Sequence, residues 1–221
     1  MSGKLLIVEK LPASDGKLRD ELIERIADIA NDVEKNEPGC TKYAVFVPKE
    51  DDGKTVWVVK EYTDQAACDL YLNSQNVKDI KSWLETLPVF TEDDPPVIHE
   101  LQYISSDFEF SRPGARTIAD PHVIFAELHY IPGGVASSIP YWKAVVDTGR
   151  DKEPGTLAYG ILRDSSKEDK LASFEVYESP EYLKDVHVPS DAITQSIKNT
   201  KHLRTGLKHN ILKKVAGYLY K

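Results

Sequence analysis

Glu37-Pro38-Gly39-Cys40 recurs as Glu153-Pro154-Gly155-Thr156, an offset of 116 residues from 37 to 153. The agreement continues past the tetrapeptide. Tyr43-Ala44-Val45 stands opposite Tyr159-Gly160-Ile161, and a charged turn follows in both copies, at 49–53 and 165–169. Each turn leads into a β-rich run that ends in tyrosine, Tyr62 and Tyr177. The offset between those tyrosines is 115, so the second copy has lost one residue in its turn. A repeated order of motifs of this kind marks duplication of one structural unit.

The grammar of the first copy reads outward from this anchor. Residues 4–11 form a strand candidate. The apolar positions Leu18, Leu22, Ile26, Ile29 and Val33 recur at steps of three and four and predict a helix over 15–35 with one buried stripe. Ser14 or Asp15 can cap its start, and Pro38-Gly39 ends it. Residues 41–47 and 55–62 predict a hairpin around Asp52-Gly53, followed by a helical region at 64–87 and a strand at 97–104. The second copy repeats this with a strand at 122–131 and a shorter helix at 139–148. Its hairpin is at 157–163 and 171–177, its helical segments at 180–188 and 190–199 are broken by Pro189, and a last strand lies within 209–220.

The order β-α-β-β-α-β describes a ferredoxin-like split βαβ unit, so the fold class is α+β. The predicted organisation is a unit at 1–105, a linker at 106–120 containing Arg112-Pro113-Gly114, and a second unit at 121–221. The strands carry Val, Ile, Phe, Tyr and Trp on both parities, so both sheet faces call for burial. The economical prediction is two units packed sheet to sheet as an α+β barrel, with an apolar chamber between the sheets.

Charge and composition narrow the function. The chain has 221 residues and a net charge of −8, which disfavours nucleic acid and anionic membrane surfaces as partners. Residues 1–105 carry 12 basic and 21 acidic side chains, whereas 201–221 hold six Lys/Arg and no acid, which reads as a solvated basic strand. No apolar run is long enough to span a membrane, and the start is too briefly apolar for a secretory signal. Two cysteines, Cys40 and Cys68, make neither a disulfide framework nor a four-thiolate site, and both suit small buried positions. A reducing, cytoplasmic setting is expected. There is no glycine-rich dinucleotide fingerprint, no P-loop and no metal-triad spacing.

Glu-Pro-Gly-Cys, then a tyrosine three residues on, a hairpin, a strand ending in an aromatic, and a helix carrying Leu72-Asn73-Ser74 resemble the antibiotic biosynthesis monooxygenase (ABM) family. The chain looks like its tandem, fungal-type form, over about 4–105 and more loosely over 122–215. Haem-degrading relatives place an asparagine, a tryptophan and a histidine where this chain has Glu9, Tyr71 and Lys81, with Ile197 at the ligand position of the second copy. Neither lysine nor isoleucine is a suitable axial ligand. The other branch uses no cofactor: a base generates an enolate or phenolate that can pass one electron to O2 inside a dry cavity. That resemblance implies a monooxygenase acting on a small apolar substrate. An aromatic polyketide suits the mechanism best; an oxylipin-like acid is possible.

For catalysis it points to His187 as base, Tyr71 as hydrogen-bond donor, and His129, which shares a strand parity with Glu127. Tyr71 and His187 correspond if the copies are aligned at Ser74 and Ser190; alignment at Tyr62 and Tyr177 would select Val186 instead. For the substrate it points to Trp57, Tyr43, Tyr159 and Glu9, with Arg163 or the basic tail available to a carboxylate. Each has a plainer reading: core packing for Trp57 and the tyrosines, and a strand-edge ion pair for Glu127 and His129. The expected partners are a small molecule and O2, with a homodimer as a possible assembly. A non-catalytic ligand-binding barrel and a cyclase or decarboxylase of the same fold are the alternatives.

Overall fold

A computed structural model describes residues 3–221, which fall into two compact units: residues 3–100 with 213–221, and residues 101–212. Each is a mixed α+β unit with an antiparallel sheet backed by helices.

In the first unit β1 (Leu5–Pro12) leads into α1 (Gly16–Asn36), then β2 (Cys40–Pro48), β3 (Thr55–Tyr62), α2 (Gln65–Leu72), α3 (Gln75–Thr86) and β4 (Val97–Tyr103). The strand order is β4-β1-β3-β2. Asp15 rather than Ser14 caps α1, accepting from Leu18 N at 2.8 Å, while Ser14 Oγ donates to Pro88 O. The predicted stripe is the buried one: Leu22, Ile26, Ile29, Ala30 and Val33. Each large aliphatic removed from water there contributes roughly 1.5–3 kcal/mol. The single helical region expected at 64–87 is two helices, because Ser74 accepts from Val77 N and starts α3 afresh.

In the second unit β5 (Glu109–Ser111) and the short helix α4 (Gly114–Thr117) precede β6 (His122–Tyr130) and α5 (Gly134–Lys152). There follow β7 (Thr156–Arg163), β8 (Lys170–Tyr177), α6 (Pro180–Tyr182), a π-helical turn at Leu183–His187, α7 (Asp191–Thr200) and β9 (Arg204–Tyr218). Here the order is β9-β6-β8-β7-β5, and the end of β4 also joins β7. Residues 213–218 of β9 belong to the first unit. α5 starts five residues before the predicted 139 and contains Pro140. The stretch read as a linker is folded: β5 pairs with β7, and Arg112 donates to the carbonyls of Gly149, Arg150 and Thr156.

The motif glycines do the same work in both copies. A Cβ on Gly39 would sit 2.6 Å from Ala67 Cβ, and one on Gly155 would sit 2.5 Å from the Tyr182 ring. Each glycine lets the start of the second helical segment close against the end of the first.

Candidate active site

The helix-facing side of each sheet has equivalent positions, which the strand register identifies. Glu9 pairs with Val58 in the first unit, and Ala126 pairs with Ser173 in the second. Tyr43 pairs with Lys60, and Tyr159 with Glu175. Ala126, not Glu127 or His129, is therefore the counterpart of Glu9.

In the first unit this space is filled. The Lys60 Nζ donates to Glu9 Oε1 at 2.5 Å and lies 5.3 Å above the Tyr71 ring. The Tyr43 and Tyr71 hydroxyls are 2.8 Å apart, and Tyr62 packs on Tyr71. Burial alone would lower the Lys60 ammonium, but the Glu9 carboxylate and Tyr71 outweigh it and hold it above the ordinary lysine value. Burial, and then their mutual proximity, pushes the Tyr43 phenol well above its usual range.

In the second unit the same space is hollow. A cavity of about 390 Å³ is lined by aliphatic residues of β6 and by Trp142, Tyr159, Glu175, His187, Ser196 and Arg204. It is bounded by one sheet and its own helices. Replacing Glu9 by Ala126 and the Tyr71 phenol by an imidazole leaves side chains too small to fill the gap.

His187 sits in this cavity, 3% exposed, with its Nδ1 2.6 Å from Glu153 Oε2. A carboxylate can only accept, so the bond assigns the proton to Nδ1 and leaves the Nε2 lone pair available. Glu153, also 3% exposed, accepts from Thr156 Oγ1 at 3.0 Å through the same oxygen, and its Oε1 is buried without a protein donor. Tyr159 and Tyr177 flank the imidazole at 5.5 and 5.1 Å. Glu175 accepts from Ser173 Oγ at 2.6 Å and Tyr177 Oη at 2.7 Å. Burial first, and the Glu175 carboxylate second, raise both phenols well above 10, so they stay protonated donors.

The π-helical turn is what brings His187 here. From the cap pair Asp64 and Ser179 the offset between copies is 115, whereas from Tyr71 to His187 and from Ser74 to Ser190 it is 116. One extra residue enters between them and is absorbed by Leu183–His187 in π conformation. Such insertions cluster at functional positions. The two alignments of the copies are thereby reconciled, and His187 stands in the environment of Tyr71, beside the paired tyrosines 159 and 177.

Of the sequence-selected residues, only His187 and Tyr159 meet in the cavity. Tyr43, Tyr71 and Glu9 form the packed cluster of the first unit. Trp57 is buried but alternates with Lys60 and Tyr62, so it lies on the opposite face of β3. His129 lies on the opposite face of β6 from the cavity-lining Leu128, and Glu127 bonds Asn210 Nδ2 rather than pairing with it. Arg163 is exposed at the end of β7, away from the cavity. Glu153, Glu175 and Arg204 escaped selection. Glu153 was in plain view as the first residue of the motif, and the exchange of Cys40 for Thr156 beside it was the available signal. Cys40 and Cys68 are free and buried, and burial raises the Cys40 thiol to about 11. Among the described residues no group of three or more His, Cys, Asp or Glu is placed to hold a metal ion, and no helix is long and apolar enough to cross a membrane.

Residues 7–83 match the model of the antibiotic biosynthesis monooxygenase family. Two solved structures, each called a "putative monooxygenase", resemble nearly the whole chain. That from Lactobacillus acidophilus NCFM is 14% identical with a TM-score of 0.77, covering 99% of both chains. That from Fusobacterium nucleatum is 19% identical with a TM-score of 0.79, covering 100% of this chain and 98% of its own. An anthrone oxidase-like protein is 12% identical with a TM-score of 0.61, covering 96% and 92%. No curated protein matches in sequence. Residues 7–83 thus carry an antibiotic biosynthesis monooxygenase domain, and the chain as a whole shares its fold with these solved structures.

Proposed function

We propose that the chain is a cofactor-independent monooxygenase that oxidises a small aromatic or otherwise enolisable substrate in the cavity of its second unit. The observation that carries this reading is the buried Glu153–His187 dyad opening on an apolar cavity of about 390 Å³. A cavity of that size suits a small polycyclic molecule.

In the proposed reaction His187 Nε2 takes a proton from an acidic methylene, and the Glu153 carboxylate stabilises the imidazolium that forms. The protonated phenols of Tyr159 and Tyr177 are the neighbouring hydroxyls that keep the site's hydrogen-bond donors neutral. The carbanion passes one electron to O2, and the two radicals combine at carbon. The imidazolium returns its proton to the peroxide, and loss of the second C–H proton breaks the O–O bond. The balance is CH2 + O2 → C=O + H2O. The likeness to an anthrone oxidase-like protein supports an anthrone as first trial substrate.

Incubating metal-stripped protein with anthrone under 18O2 tests the reading. One labelled oxygen in the quinone is expected, with its rate dependent on His187. Unlabelled product, or label formed equally by the His187→Asn variant, overturns it.

A further inference from the structure

The cavity contains one guanidinium that the proton transfer leaves unused. Arg204, at the start of β9, lines it with the guanidinium 5.3 Å from the Trp142 ring. Its Nη2 donates to two neutral hydroxyls, Ser196 Oγ at 3.4 Å and Thr200 Oγ1 at 3.2 Å. Its Nε is buried and has no acceptor. Three arginines outside the cavity are ion-paired: Arg19 with Asp20 and Asp51, Arg25 with Glu21, and Arg150 with Asp147. Among the described residues no carboxylate lies within ion-pairing distance of Arg204.

A guanidinium has five donors, and leaving one of them desolvated without an acceptor is unfavourable unless something else supplies the oxygen. Its position suits that role. A neighbouring hollow of about 460 Å³ shares Arg204, Ile197 and Leu207 with the main cavity and adds Lys201 and Gly206. Arg204 is thus common to both spaces. Its field also reaches the Tyr159 hydroxyl, where it opposes the larger upward push of burial and Glu175. Glu175 cannot compete for the same ligand group, since its oxygens already accept from Ser173 and Tyr177.

Building on the oxygenase reading, we infer that the substrate is a carboxylate: an aromatic body in the apolar cavity, its carboxylate received by Arg204 in the geometry a planar guanidinium offers to a planar anion. Trp142 under the guanidinium holds the fork in place, and the hydroxyls of Ser196 and Thr200 orient it. Lys201 gives the neighbouring hollow the same sign of charge.

The test measures binding rather than turnover, by titration calorimetry with anthraquinone-2-carboxylate and its isosteric neutral carboxamide. The wild-type protein is expected to bind the carboxylate about tenfold tighter or more, the range of a charged hydrogen bond gained. Arg204→Gln abolishes that preference while leaving affinity for the amide within about twofold. Arg204→Lys keeps the charge but loses the fork, so it retains part of the preference and decides the matter should the glutamine variant fail to fold. Equal affinity for both probes in the wild type, or no binding of either, overturns the inference. A neutral anthrone turned over without any preference for the carboxylate probe would leave the oxygenase standing and remove the anion subsite. Carboxylate preference with no label incorporation would do the reverse.

Discussion

The two units solve one packing problem in opposite ways. Both present a strand tyrosine, a terminal strand tyrosine and a helix side chain to the same space, yet the first closes it and the second leaves it open. In the first, Lys60 and Glu9 neutralise each other and Tyr71 completes the filling with a hydroxyl bonded to Tyr43. In the second, Ala126 replaces the acid, Glu175 replaces the lysine and His187 replaces the tyrosine. The acid that answers the imidazole now comes from the Glu-Pro-Gly motif, as Glu153. In the first unit the matching Glu37 is only partly buried, and its main-chain carbonyl accepts from Lys221. A few side-chain exchanges on a retained scaffold therefore convert a core into a pocket.

That contrast can be broken most severely at His187. His187→Asn keeps the packing but removes the base, and turnover of an anthrone should fall by about 10²–10⁴ with little change in melting temperature. Glu153→Gln should follow with a smaller loss, since the amide can still meet Nδ1 but no longer stabilises the imidazolium. The matching substitution of the first unit, Tyr71→Phe, should leave kcat unaltered; a large fall there would place catalysis in the wrong copy.

Lys60→Met probes the filled unit. Removing the ammonium strands Glu9 beside the core, so urea unfolding should show a loss of about 3 kcal/mol with turnover retained. Stability within 0.5 kcal/mol or so of wild type would mean that the pair is not what seals this space.

Gly155→Ala is expected to cost about 1–3 kcal/mol, because the new methyl meets the Tyr182 ring and Glu178 at distances that require movement. That movement displaces the π-helical turn, so kcat should fall along with the melting temperature. Gly39→Ala should lower stability alone.

The smallest effect is at the surface. Lys167 and Ser166 draw Asp164 down to about 2 in the turn between β7 and β8. A depressed carboxyl contributes stability above its unfolded value near 4 and loses it as the pH falls toward 2. Asp164→Asn should therefore lower the melting temperature by a degree or so at pH 6 and not at pH 2; a difference that persists at pH 2 would point to lost turn geometry instead.

How far the sequence could be read follows from the range of each interaction. The helices, hairpins and duplication were legible because periodicity, caps and turn residues act over a few positions: Asp15 accepts from Leu18 and Asp52 from Thr55, each within a turn of chain. The extended start of α5 was not legible, because Pro140 interrupts the pattern in a helix that packing nevertheless sustains. His129 and Glu127 share a strand parity, which by itself suggests an ion pair on one face. Parity alone does not say which face a helix covers, and the register with β8 and β9 turned both away from the cavity.

The amino-acid order by itself determined that this is one unit written twice, with an acid, a tyrosine and a helix residue at matching places in each copy. Only the tertiary structure decided which copy is hollow, because volume is a difference between side chains that meet from separate elements. It also decided that Glu153 lies 34 residues before the histidine it orients, and that the extra residue of the second copy is spent in a π-helical turn. Such a turn leaves no local mark in composition, since it is fixed by what the displaced side chain gains on the far side of the fold.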